Sequence, residues 1–107
     1  MQPLEKWGGT DEEIISVTPI SGLSVTNGQV YRKGRICAVQ LRLTGTSSIA
    51  SDTVIASGFP IPYTRQNVVR IGASGSTDEI NASGQLIVKG ALASGNHFFS
   101  AVYLIAE

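Results

Sequence analysis

Charge is scarce in this chain. Only 15% of its 107 residues are Asp, Glu, Lys or Arg, against about a quarter in ordinary soluble domains. Eight basic residues balance eight acidic ones, so the chain lacks the basic excess that nucleic acid or an anionic membrane surface rewards. Neither is expected as a partner, and low charge leaves surface free for protein interface. A single cysteine, Cys37, excludes an intrachain disulfide. It falls in the alternating run Cys37, Val39, Leu41, Leu43, which marks a buried thiol on the core face of a strand. A single histidine, His97, has no second His or Cys at ligand spacing, so no zinc site and no other metal is expected. No apolar run approaches the roughly 18–20 residues that span a bilayer, and the first six residues lack a basic-then-apolar leader pattern.

Catalytic signatures are missing too. There is no Gly-x-Ser-x-Gly elbow, Walker loop or dinucleotide fingerprint. Beyond Asp11-Glu12-Glu13 at the entrance to the domain, Asp78-Glu79 is the only acid pair; adjacent strand residues point to opposite faces, whereas a glycosidase needs two converging carboxylates. A solvated hairpin approach is the expected role of this pair. Asn81-Ala82-Ser83 matches a glycosylation acceptor without any secretory signal to go with it. The chain reads as a non-enzyme without cofactors.

What is abundant suits strands and tight turns: twelve glycines, many serines, and plentiful Val, Ile and Thr. At this length the chain forms one domain, which buries somewhat over about 60% of its unfolded surface. Residues 1–12 show no periodicity and read as a connecting arm whose Trp7 packs on the domain or a neighbouring subunit; residues 13–107 read as one β-domain. A first strand is expected over 14–18, ended by Pro19. Residues 23–26 and 29–33 are expected to form a hairpin around Asn27-Gly28, the preferred pair for a type I′ turn. Lys33-Gly34 then turns the chain into a clean alternation over 35–44. Further strands are expected over 53–56, 66–73, 79–82 and 85–89, the last two joined at Ser83-Gly84. The prolines of Gly58-Phe59-Pro60-Ile61-Pro62-Tyr63 forbid a central strand there. About eight strands result, consistent with an antiparallel jelly-roll-like β-sandwich.

The terminal run His97-Phe98-Phe99-Ser100-Ala101-Val102-Tyr103-Leu104-Ile105 is apolar on both alternating faces. A half-exposed strand should show one apolar and one polar face, so the second face calls for a partner, most economically another copy of the chain. Phe99, Tyr103 and Ile105, with Trp7, are expected to face neighbouring protomers, and Phe98, Val102 and Leu104 to fill the sandwich. The alternation separates the two sets without saying which is inside. On that assignment Tyr103→Asp should dissociate the oligomer.

Two surface clusters stand out. Arg32, Lys33 and Arg35 beside Tyr31 read as a solvated hairpin tip. Tyr63, Arg65, Gln66 and Asn67 follow the Pro-rich bend and offer an aromatic face, a guanidinium and two amides, the components of a small polar binding patch.

The run Gly28-Gln29-Val30-Tyr31-Arg32-Lys33-Gly34-Arg35-Ile36-Cys37-Ala38-Val39 resembles the opening pattern of terminal domains in bacteriophage tail-fibre and baseplate proteins. The Gly/Pro bend, the hairpin Ala82-Ser83-Gly84-Gln85-Leu86-Ile87-Val88 and a final aromatic strand follow in the same order. The bend departs from the commoner Leu-Pro-x-Gly-Tyr. The resemblance covers about residues 13–107 and implies a homotrimeric β-sandwich at a fibre or baseplate tip, located in the virion and made in the host cytoplasm. It implies binding to a host cell-surface glycan or protein and contact with other virion tail proteins, without membrane insertion. A purely structural fibre head or trimerisation cap is the alternative; a cellular carbohydrate-binding domain and a hydrolase rank below it.

Overall fold

The computed structural model describes residues 12–71 and 77–106, and the regular elements among them are all β-strands. In chain order these are β1 (Glu12–Ile15), β2 (Thr18–Pro19), β3 (Leu23–Lys33), β4 (Ile36–Gly45), β5 (Thr53–Ser57), β6 (Gln66–Ile71), β7 (Thr77–Ile80), β8 (Gln85–Val88) and β9 (Gly95–Leu104). Trp7, the rest of the expected arm before Glu12 and the Ser/Gly turn at 74–76 lie outside the described residues.

The all-β antiparallel architecture expected from composition is present, as nine strands in one continuous sheet. Its order is β1-β3-β4-β9-β6-β7-β8-β5-β2. The edge strands β1 and β2 are separated by only two residues in sequence. A span of a few Cα steps of about 3.8 Å cannot bridge a flat nine-strand sheet, so the sheet curls until its edges approach. Pro19 sits in edge strand β2, where a missing backbone N–H leaves no central ladder bond unmade.

One core lies on the concave face. β4 supplies Cys37, Val39, Leu41 and Leu43, the alternation legible in the sequence, and meets Val30, Ile55, Val68, Ile80, Leu86, Val88 and Phe99 from the other strands. In β5 both Ile55 and Ala56 are buried. A bulge between Val54 and Ala56 breaks the period of two there, letting neighbouring side chains face the same way.

Asn27-Gly28 is not a hairpin turn. β3 runs through it to Lys33, with a register shift between Val25 and Asn27. A type I′ turn needs positive φ at both central residues, and Gly28 has it (φ 81°) while Asn27 does not. The glycine is required because any Cβ at position 28 would collide with the Gln40 carbonyl oxygen on β4. The turn expected at Lys33-Gly34 is present, centred one residue on at Gly34-Arg35 and flanked by the pair Lys33↔Ile36, with positive φ at Gly34 alone as in a type II′ turn.

Candidate functional site

The Pro-rich bend is strapped to the last strand. The Tyr63 N–H donates to the Leu104 carbonyl (2.8 Å) and the Ala106 N–H to the Ile61 carbonyl (2.8 Å). The Tyr103 hydroxyl donates to the Pro60 carbonyl at 2.8 Å. On the other side, the Phe59 N–H donates to the Gly84 carbonyl at 3.1 Å, which docks the bend on the β7–β8 hairpin. A groove of about 390 Å³ opens where the bend meets β9, lined by Ile36, Tyr63, Thr64, Gln66, Val102 and Leu104 beside Tyr103.

Two of the four residues expected to form a polar patch, Tyr63 and Gln66, line this groove. Tyr63 is 69% exposed, and the Gln66 amide is held by donating to the Asn67 carbonyl at 3.0 Å. Arg65 and Asn67 are not among its lining residues. Asn67 pairs with Glu79 on β7. Arg65 reaches the same place, with its Nε 3.8 Å from the Glu79 carboxylate. The groove therefore has an aromatic wall and an amide but no guanidinium.

The two faces of β9 are inverted relative to expectation. Phe99, Tyr103 and Ile105 are 1%, 5% and 2% exposed and belong to the core, whereas Phe98, Val102 and Leu104 are 42%, 65% and 51% exposed. Register explains the inversion. β9 pairs with β4 as Cys37↔Tyr103, Val39↔Ala101 and Leu41↔Phe99, and directly opposed residues share a face. Once Cys37, Val39 and Leu41 point inward, Phe99 and Tyr103 must follow. Phe99, Tyr103 and Ile105 thus cannot serve as an interface; Phe98, Val102 and Leu104 occupy the outer face.

That outer face carries a continuous apolar row. Ile14 on β1 pairs with Tyr31 on β3, Tyr31 with Ala38 on β4, and Ala38 with Val102 on β9. The adjoining pair Ile36↔Leu104 is also solvent-exposed, and Val69 on β6 is exposed beside β9. Contiguous apolar surface of this kind marks interaction sites.

Asp78, expected to be solvated, is fully buried. Arg70, itself buried, donates to it through Nε (2.9 Å) and Nη2 (2.6 Å), a bidentate pair. The Lys89 N–H adds a third donor to the carboxylate (3.0 Å), and the guanidinium also reaches the carbonyls of Gly90 (3.1 Å) and Ala91 (3.3 Å). The cluster ties β6, β7 and the segment after β8 together with every partner satisfied. A signal was available: Arg70 follows Val68, and Asp78 precedes Ile80, at the period of two, so each shares a face with a core residue.

Cys37 is buried and unpaired in a disulfide, as its alternation implied. Burial pushes its thiol pKa up, against smaller opposing effects of Tyr103 and Arg32, so it is held as the unreactive thiol. Burial likewise raises the Tyr103 phenol far above its ordinary range, reinforced by Cys37. His97 lies with Nε2 2.7 Å from the Ala93 carbonyl. Asn81 accepts from the N–H groups of Ser83 (2.9 Å) and Gln85 (3.1 Å), so its side chain shapes the β7–β8 turn. Among the described residues no three His, Cys, Asp or Glu side chains gather as a metal site, and no helix is long and apolar enough to cross a membrane. No protein-family model and no curated protein matches the chain.

Proposed function

We propose that this chain is a non-catalytic tip domain of a bacteriophage tail fibre or baseplate, which trimerises and binds a saccharide on the host surface. The observation that carries the reading is the apolar row Ile14–Tyr31–Ala38–Val102, exposed at Ile14 and Val102 and half-buried between them, with exposed Ile36 and Leu104 beside it. An isolated chain leaves this surface in water, at about 25 cal/mol for each Å² that an interface would remove. A symmetric homo-oligomer covers the same patch on every copy. The order of the resembling motifs supports the tail-fibre assignment, and Tyr63, which stands 69% exposed at the border of this patch, supplies an aromatic face of the kind that engages sugars.

The test is solution mass by light scattering, followed by a bacterial glycan array. A mass near three times 11.3 kDa with saccharide binding supports the proposal. A trimer that binds no glycan moves the assignment to a structural fibre head or trimerisation cap. A monomer that binds no glycan overturns it.

A further inference from the structure

A second depression, of about 350 Å³, lies on the outer face at the opposite end of the sheet from the Tyr63 groove. It is lined by Asn27, Gly28, Gln40, Phe98, Phe99 and Ser100. From the geometry we infer that this is a saccharide subsite for a ring bearing a carboxylate. The inference rests on the recognition reading above and locates a site for it.

The outer face changes character along the strands. One end carries the apolar rows. Beyond Ala38 and Val102 the cross-strand rows become Gln29↔Gln40↔Ser100 and Asn27↔Arg42↔Phe98. The β3 bulge brings Gly28 so close to the Gln40 carbonyl that no Cβ fits, so the lining is bare backbone at that point. Phe98 supplies a half-exposed aromatic surface, and Asn27, Gln40 and Ser100 supply polar groups around it.

Those polar groups are partly committed in a way that leaves donors over. Asn27 Oδ1 accepts from the Gly28 N–H at 2.8 Å, leaving the two amide protons of Nδ2 for a ligand. The Gln40 side chain makes no hydrogen bond among the described residues. Arg42 stands between Asn27 and Phe98 in its row, at the rim of the depression rather than in its lining; its guanidinium lies 5.8 Å from the Phe98 ring centroid, and its Nε donates to the Thr26 hydroxyl at 3.0 Å. Thr26 and Thr44 hydroxyls are 2.8 Å apart, and Thr44 donates to Asn96 Oδ1 at 2.7 Å. Arg42 is thus aligned by a relay across three strands, yet it forms no ion pair among the described residues, and no acid lines the depression. An aromatic surface ringed by amide donors suits a sugar ring and its hydroxyls, and a guanidinium without a carboxylate beside it suits an anionic substituent.

The experiment is an amide-shift titration of the ¹⁵N-labelled chain by NMR, with methyl galactoside and with galacturonate as probes. Galacturonate should shift the amides of Asn27, Gly28, Gln40 and residues 98–100, with upfield ring-current shifts of its own protons against Phe98, and bind more tightly than the galactoside. Phe98→Ala and Gln40→Ala should each weaken it at least about tenfold with the remaining amide spectrum unchanged; the loss of one good contact is of that size. Arg42→Gln should erase the preference for the acid. Shifts confined to Tyr63 and Gln66 would overturn the inference while leaving a saccharide-binding tip domain standing. Binding unaffected by Phe98→Ala and Gln40→Ala would overturn it as well. No response to either sugar, with no glycan-array signal, would remove both the subsite and the recognition reading.

Discussion

Three positions show how single residues are constrained. Gly28 combines positive φ with a backbone approach that no side chain tolerates. Gly28→Ala should therefore cost more than about 2 kcal/mol, since backbone strain alone is worth about 1–3; urea denaturation would measure it. Arg70 and Asp78 form a buried pair whose disruption from either side strands a charge. Arg70→Met or Asp78→Leu alone should each cost about 3–5 kcal/mol, whereas the double variant should cost clearly less than their sum. Cys37 and Tyr103 bear on pH. Burial raises both pKa values, so the folded chain keeps protons that the unfolded chain has already released. Stability should be intact below pH 9, the thiol's ordinary value, and fall as pH rises above it. Urea midpoints between pH 7 and 11 would show the decline, and Cys37→Ala should make it shallower. A midpoint that held steady across this range would contradict the assignment of both groups.

At the scale of elements, β9 and β3 are the instructive cases. β9 is apolar on both faces, and its pairing with β4 decides which set is inside. The consequence is opposite for neighbouring residues. Val102→Asp should leave the circular dichroism spectrum unchanged and shift an oligomer to monomer mass. Tyr103→Asp should instead unfold the chain, because it places a carboxylate among core residues and removes the hydrogen bond to Pro60. In β3, Asn27-Gly28 carries the strongest short hairpin signal in the chain, but the strand continues through it. Ten residues of β4 offer a continuous partner from Ile36 to Gly45, and that ladder outweighs the local preference for a turn. The glycine then serves a bulge, a role the same residue type fills equally well.

For the molecule as a whole, curling joins distant pieces into two faces with different tasks. The inner face collects a single core from seven of the nine strands, together with Phe59, Leu92 and Ile105. The outer face holds an apolar end and a polar, aromatic end on the same three long strands, β3, β4 and β9. This division yields one further expectation: a variant that breaks the apolar end should leave the depression around Phe98 intact. Val102→Asp monomers should give the same galacturonate shifts at Asn27, Gln40 and residues 98–100 as the parent chain; their loss would show that the two ends act as one surface.

The sequence by itself determined the class of fold, because the period of two, the scarcity of charge and the glycine-bounded runs admit antiparallel strands and little else. It also determined the core face of β4 and the burial of Cys37, since Cys37, Val39, Leu41 and Leu43 alternate with polar or small residues. It placed Tyr63 and Gln66 near one another by simple proximity in the chain. Tertiary structure decided what alternation leaves degenerate. Register against β4 chose the inner face of β9, and the meeting of β6 with β7 turned Arg70 and Asp78 from surface charges into a buried pair. Pairing of β3 with β4 and of β4 with β9 brought Asn27, Gln40 and Phe98 around one depression although they are far apart in sequence. The physical reason is common to all three: a strand's own residues specify two opposite faces, and only hydrogen-bonded neighbours specify which face is inside.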